Sequence, residues 1–163
     1  MLIRYCPHCW AELDYEATTC PNCGASLTEE QGYVDKLIAA LHHPEPTRAG
    51  LALDILSGWL HETRAVEPIC ALVEHTSDPA MLRQAARALG RLGERRAVPT
   101  LARLLADASR PFVARQAAAQ ALGQLGGAEA AQALTLALAD PLASIREAAQ
   151  QALAEMGHQQ PDT

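Results

Sequence analysis

The pentapeptide Leu89-Gly90-Arg91-Leu92-Gly93 returns 33 residues later as Leu122-Gly123-Gln124-Leu125-Gly126 and, after 31 more, as Leu153-Ala154-Glu155-Met156-Gly157. A degenerate copy, Leu56-Ser57-Gly58-Trp59-Leu60, stands 33 residues before the first. A period of this length marks one supersecondary unit used repeatedly, and because no such unit buries its apolar stripe alone, the units must stack. Ahead of each copy lies a second amphipathic stretch, at Leu37-Ile38 to Leu41, Ile69 to Leu72-Val73, Leu101 to Leu104-Leu105 and Leu134 to Leu138. The pattern predicts four helix pairs, with A helices near 29–42, 65–76, 96–106 and 128–139 and B helices near 47–60, 79–91, 111–124 and 142–156. Pro44, Pro46, Pro79, Pro111 and Pro141 fall where helices end or start, and Gly93, Gly126 and Gly157 where C-caps are expected. Alanine is abundant here while aromatics are 4% of the chain, a balance suited to close helix-on-helix packing. The expected fold is all-α: an α-solenoid over residues 33–157 with a tail at 158–163.

Residues 1–27 differ in kind, holding four of the five cysteines and two of the three tyrosines. They contain two Cys-Pro-x-Cys units, Cys6 to Cys9 and Cys20 to Cys23, separated by ten residues. Two residues between cysteines let the chain wrap so that both thiolates face one ion, with Pro7 and Pro21 setting the turn and Gly24 allowing the left-handed conformation that follows it. Four sulfurs at ~2.3 Å close a tetrahedron and leave no coordination position for a substrate, which makes the site structural. Zinc is the expected ion and Cys6, Cys9, Cys20 and Cys23 its ligands, although four thiolates also suit a single iron, as in rubredoxin-like proteins. His8 lies inside the first knuckle and reads as a spacer, because the four cysteines already complete the shell. Residues 28–32 form a linker or the start of the first helix, with Thr28-Glu29-Glu30-Gln31 having the form of a capping box.

On these residues the first 27 positions resemble the small zinc-ribbon domains, built as an aromatic residue, Cys-Pro-x-Cys-Gly, a polar hairpin and a second Cys-Pro-x-Cys-Gly. Trp10 stands where that family has the first Gly, and would either pack on the hairpin or face a partner. Residues 33–157, with Ala-Arg-Gln-Ala-Ala-Ala-Gln-Ala-Leu-Gly-Gln-Leu-Gly at their centre, resemble the HEAT-like repeats of phycobilisome lyases. That resemblance implies B helices along a concave wall and a ladder of turn Asp with helix B Arg: Asp78 with Arg83, Asp107 with Arg115, Asp140 with Arg146. It does not imply one function, since the same solenoid serves adaptors, chaperones and enzymes.

Chemistry is sparse. His61-Glu62 is similar to the His-Glu dipeptides that bind di-iron in deoxyhypusine hydroxylase, but that family repeats the dipeptide across several helices and this chain has it once, at an expected turn. Gly90/Gly93 and Gly123/Gly126 lack the Lys-Ser/Thr of a phosphate loop. Cys70 reads as a small buried hydrophobe, and Trp59, aligned with Leu92, Leu125 and Met156, as core. The net charge of −6 gives no overall pull toward nucleic acid or anionic lipid, and no apolar run reaches the ~20 residues of a membrane span. A soluble protein of a reducing compartment, the cytoplasm, is expected.

Spacing of i, i+4, i+8 places Gly50/Asp54/Gly58, Arg83/Arg87/Arg91, Gln116/Gln120/Gln124 and Glu147/Gln151/Glu155 each on one B-helix face. From Arg83 to Arg115 eight arginines stand against Glu94 and Asp107, a basic island in an acidic chain. The expectation is a non-enzymatic scaffold that binds an acidic protein segment through Arg83, Arg87, Arg91, Gln116, Gln120 and Gln124. Two other readings are a nucleic-acid-associated ribbon protein, opposed by one Arg against five acids in residues 1–32, and a subunit of a bilin-lyase-like enzyme.

Overall fold

A computed structural model describes residues 3–6, 8–14, 16–27 and 32–158. Pro7, the capping-box segment Thr28–Gln31 and the tail beyond His158 lie outside the described residues. β1 (Ile3–Tyr5) pairs antiparallel with β2 (Glu12–Asp14), and a bridge between Thr19 and Ser26 closes the second knuckle. Eight α-helices follow among the described residues: α1 (Tyr33–Ala40), α2 (Pro46–Asp54), α3 (Val66–His75), α4 (Pro79–Leu92), α5 (Val98–Ala106), α6 (Phe112–Leu125), α7 (Ala128–Ala137) and α8 (Ala143–His158). They are the four predicted pairs. The expected starts hold because proline needs no donor at a helix's first position: Pro46 and Pro79 open α2 and α4, and Asp78 accepts the Ala80 N–H at 2.9 Å.

Three boundaries differ from expectation. The first A helix begins at Tyr33 with Gly32 as its N-cap, not at 29. Gly93 ends α4 at φ +73, and Gly126 ends α6 at φ +65, but Gly157 lies within α8, which runs on to His158 and so takes the first residue of the expected tail. The C-terminus of α2 widens into a π turn, Ile55–Trp59, closed by Leu60 N–H donating to Ile55 C=O at 3.0 Å.

The B helices stack far more intimately than the A helices. The reason is residue size at the joints. A Cβ on Gly123 would lie 2.9 Å from Ala152 Cβ and 3.1 Å from its Cα, and one on Gly90 would lie 3.1 Å from Ala121 Cα. Backbone meets backbone along the B row, so the B helices form the closely packed row of the array and the A helices the looser one. Gly123→Val is therefore expected to cost about 1–3 kcal/mol, read as a lower urea midpoint. Gly58→Ala, whose methyl meets only the flexible end of Arg91 at 3.4 Å, should leave the midpoint unchanged. Equal midpoints for Gly123→Val and wild type would contradict this packing.

The pairs are tied together by arginines, in a pattern unlike the predicted ladder. Asp78 caps α4 and takes no ion pair with Arg83; Asp107 pairs with Arg110 at 3.6 Å. Arg115, 2% exposed, donates from Nε to Leu105 C=O at 2.8 Å and from Nη2 to Asp140 of the following pair. Arg146 donates to the Asp140 and Pro141 carbonyls instead of the Asp140 carboxylate. Arg110 reaches back to Thr76 C=O at 2.8 Å and Arg96 to Thr63 C=O at 2.5 Å. Carbonyls near the ends of α3 and α5 and in the turns thus receive guanidinium donors, from the following pair in the case of Arg96 and Arg110 and from the same pair in the case of Arg115 and Arg146.

Trp59 is not core. It is 84% exposed, whereas Leu92 and Leu125, the residues aligned with it in the next two pairs, are buried.

Candidate functional site

The two knuckles are built alike. Cys6 N–H donates to Ala11 C=O and Trp10 N–H to Cys6 C=O; fourteen residues on, Cys20 N–H donates to Ala25 C=O and Gly24 N–H to Cys20 C=O, all at 2.9 Å. The folding of each loop aims its sulfurs inward: Cys6 Sγ lies 3.6 Å from Cys23 Sγ, Cys9 Sγ 3.6 Å from Cys20 Sγ, and all four lie within 4.8 Å of one another. A tetrahedral ion with bonds of ~2.3 Å requires edges of ~3.8 Å, so the quartet fits. Asn22 and then the Ala11 backbone hold the Cys9 thiol down to about 6. The Ala25 amide pulls Cys23 down as well, but lost hydration and the Cys9, Cys20 and Cys6 sulfurs push it up to about 12. Thiolates so close resist ionising together unless a cation sits between them. His8, exposed, contributes its N–H to Cys6 Sγ at 3.4 Å and not its ring, as its spacer role requires.

Trp10 occupies, at φ +59, the left-handed position that Gly24 occupies at φ +73. A bulky side chain there carries backbone strain of ~1–2 kcal/mol. Its ring is partly buried and lies against His43 just past the first A helix, centroids 4.3 Å apart and planes tilted by 60°. Trp10 Nε1 is buried without a partner among the described residues.

Along the B row, Arg83, Arg87 and Arg91 are all exposed on one face of α4, and Gln120 and Gln124 are exposed on α6, with Gln116 half-buried and donating to Ser144 C=O at 3.4 Å. Arg87, Arg91, Gln120 and Gln124 border a shallow cleft of about 210 Å³ floored by Ala117 and Ala121. The first trio is less open than its spacing suggests, since Gly50 is buried beneath Gln84. Arg91 is bound to Asp54 at 3.0 Å. Arg83 and Arg87 have no ion pair or hydrogen bond among the described residues, a state shared with Arg95 on the next turn; the other arginines whose side chains are described are tied to carboxylates or carbonyls.

His61 adopts φ +47 and is exposed, and Glu62 is bound to Arg64, which holds its carboxyl below the usual range. Among the described residues the cysteine quartet is the one set of three or more His, Cys, Asp or Glu placed to share an ion. Cys70 is buried in the core of the array, and burial pushes its thiol up.

A family model for HEAT repeats matches residues 34–117, one for PBS lyase HEAT-like repeats matches 114–140, and one for the zinc-ribbon domain matches 5–27. No curated protein sequence matches. Among solved structures, human deoxyhypusine hydroxylase in complex with glycerol is 27% identical with a TM-score of 0.68, over 80% of this chain and 46% of that one. The complex of CpcE and CpcF of phycocyanin lyase from Nostoc sp. PCC7120 is 23% identical with a TM-score of 0.54, over 81% of this chain and 68% of that one, a likeness of fold alone. The chain thus spans less than half the length of the hydroxylase.

Proposed function

Since the chain belongs to the HEAT-repeat family and carries a zinc-ribbon domain ahead of the repeats, we propose that it is a binding scaffold without chemistry of its own, which holds an acidic protein segment along its B helices while structural zinc shapes the ribbon. Zinc is favoured over iron because the closed four-sulfur shell has no use for a redox metal unless an electron partner is supplied. The observation that carries the binding reading is that Arg87, at the cleft, and Arg83, exposed one turn before it on α4, have no ion pair among the described residues, in a chain of net charge −6 that has ion-paired most of its other arginines. Two like charges one turn apart repel by ~0.2–0.5 kcal/mol, and an acidic partner reverses that term. Against catalysis on the hydroxylase pattern stands the engagement of Glu62 by Arg64, with His61 in no group of three or more ligand-bearing side chains among the described residues. Among the described residues no helix is long and apolar enough to cross a membrane.

The test is fluorescence anisotropy with labelled oligo-glutamate and with a labelled single-stranded oligonucleotide. Wild type should bind oligo-glutamate, and Arg83→Gln with Arg87→Gln should weaken it by about 1 kcal/mol, roughly fivefold, with a shallower salt dependence. Unchanged affinity in the double variant would refute the clamp. Preference for the oligonucleotide, with a salt slope near one unit per neutralised phosphate, would replace it with nucleic-acid binding.

A further inference from the structure

The first B helix ends in an apolar surface that the scaffold reading leaves unused. Leu51 is 61% exposed, Trp59 84% and Leu60 44%, with Ile55 half-buried between them. In the next pair the residues aligned with Ile55 and Trp59 are Ala88 and Leu92, and in the third Ala121 and Leu125, all buried. Ala121, aligned with Ile55, rests against the backbone of Gly90 on the preceding B helix. Leu51 and Trp59 are thus exposed, and Ile55 half-buried, on a helix whose aligned positions 88, 92, 121 and 125 are buried in the later pairs.

Side-chain size argues that this stripe is not a joint waiting for one more repeat. The internal joints are made of Gly and Ala, which permit backbone contact, whereas Leu51 and Trp59 would hold another helix away. The π turn at Ile55–Trp59 is a further departure from the regular helices of the later pairs, and it sits at the residue that is most exposed. This edge also adjoins the free arginines. Gly58, next to Trp59, lies against Arg91 Nη1, and Arg87 is one turn before Arg91 on the same face.

We infer that Trp59 is the apolar anchor of the groove, and that the segment bound there carries an acidic pair for Arg83 and Arg87 and, a few residues away, one bulky apolar side chain that packs on Trp59. The inference rests on the scaffold reading and specifies its partner. Charge complementarity selects the acidic part. The exposed indole selects the other, because Trp combines large apolar area with few rotamers and is the residue type most often found at interface hot spots. Helices ~8–10 Å apart and an offset of about one to two turns separate the two features by roughly four residues of extended chain.

Selection from a random dodecapeptide phage library against the full chain tests this. Wild type should enrich peptides with two acids and an aromatic or large aliphatic residue about four positions from them. Trp59→Ser, whose side chain is exposed enough to leave helical circular dichroism unchanged, should enrich acids without the apolar position and bind the wild-type-selected peptide at least tenfold more weakly. Arg83→Gln with Arg87→Gln should enrich no acids. Enrichment of acids alone by wild type, or equal binding by Trp59→Ser, sinks the anchor while the groove stands. Enrichment without acids, or no enrichment at all, sinks both. Sedimentation of wild type as a dimer and Trp59→Ser as a monomer would assign the stripe to a second copy of the chain and overturn the anchor.

Discussion

Cys20→Ser is expected to abolish metal uptake and to unfold residues 5–27 while the helical array remains. Among the described residues the buried centre of the ribbon is Cys6, Leu13 and Cys20, two of them ligands, with only small or partly buried side chains such as Ala11, Ala25 and Leu27 around it, so without the ion little apolar surface holds the loops. Metal binding at such sites is worth ~10–16 kcal/mol near neutral pH, and in a module of this size that is its folding free energy. Wild-type protein should carry one zinc per chain by emission spectroscopy. In the variant, amide resonances of the ribbon should collapse to the unfolded range, with helical ellipticity kept, because each helix pair is held by its neighbours. Iron in the wild type, or an ordered ribbon after chelation, would overturn the metal assignment. Loss of most helical signal would mean that the packing of Trp10 on His43 makes the ribbon a cap the array needs.

Asp140→Ala should destabilise the array by about 3–5 kcal/mol, the range for removing one partner of a buried ion pair. The carboxylate accepts from Arg115, itself buried, and from Leu142 N–H at 2.9 Å, so the substitution strands a guanidinium between the third and fourth pairs. Burial by itself would raise Asp140, but the Arg115 and Leu142 hydrogen bonds and the Arg115 charge outweigh it and hold the carboxyl below its usual range. A lowered carboxyl contributes stability above the unfolded value of ~3.9 and loses it as pH falls through the folded value. Wild type should therefore lose stability over that acid window. Arg115→Met combined with Asp140→Ala should recover most of the loss and flatten this part of the pH profile, because an apolar pair of similar volume leaves no buried charge. A double variant as unstable as Asp140→Ala alone would show that the ion pair is not the source of the cost.

The helix pairs were legible because the residues that start and stop them act locally: Pro46, Pro79 and Gly93 each impose their effect through their own backbone. The cysteine quartet was legible for the same reason, since two-residue spacing within a knuckle is a short-range constraint. What escaped was decided by a neighbour in space. Trp59 aligns with buried residues, yet alignment carries no information about what covers it. Asp140 was matched to Arg146 six residues away, whereas its carboxylate is taken by Arg115 from the previous pair. Trp10 was weighed between hairpin and solvent because nothing in residues 1–27 announces that His43 lies alongside.

In mechanical terms, the glycine joints at Gly90 and Gly123 place the neutral axis of the array on its B row. Backbones in contact there can neither approach further nor separate without losing dispersion contacts, so that row has a fixed length. Bending must be taken up by the looser A row. An array so built is expected to flex like a leaf spring, with the spacing between Arg87 and Gln120 across the close-packed row changing least.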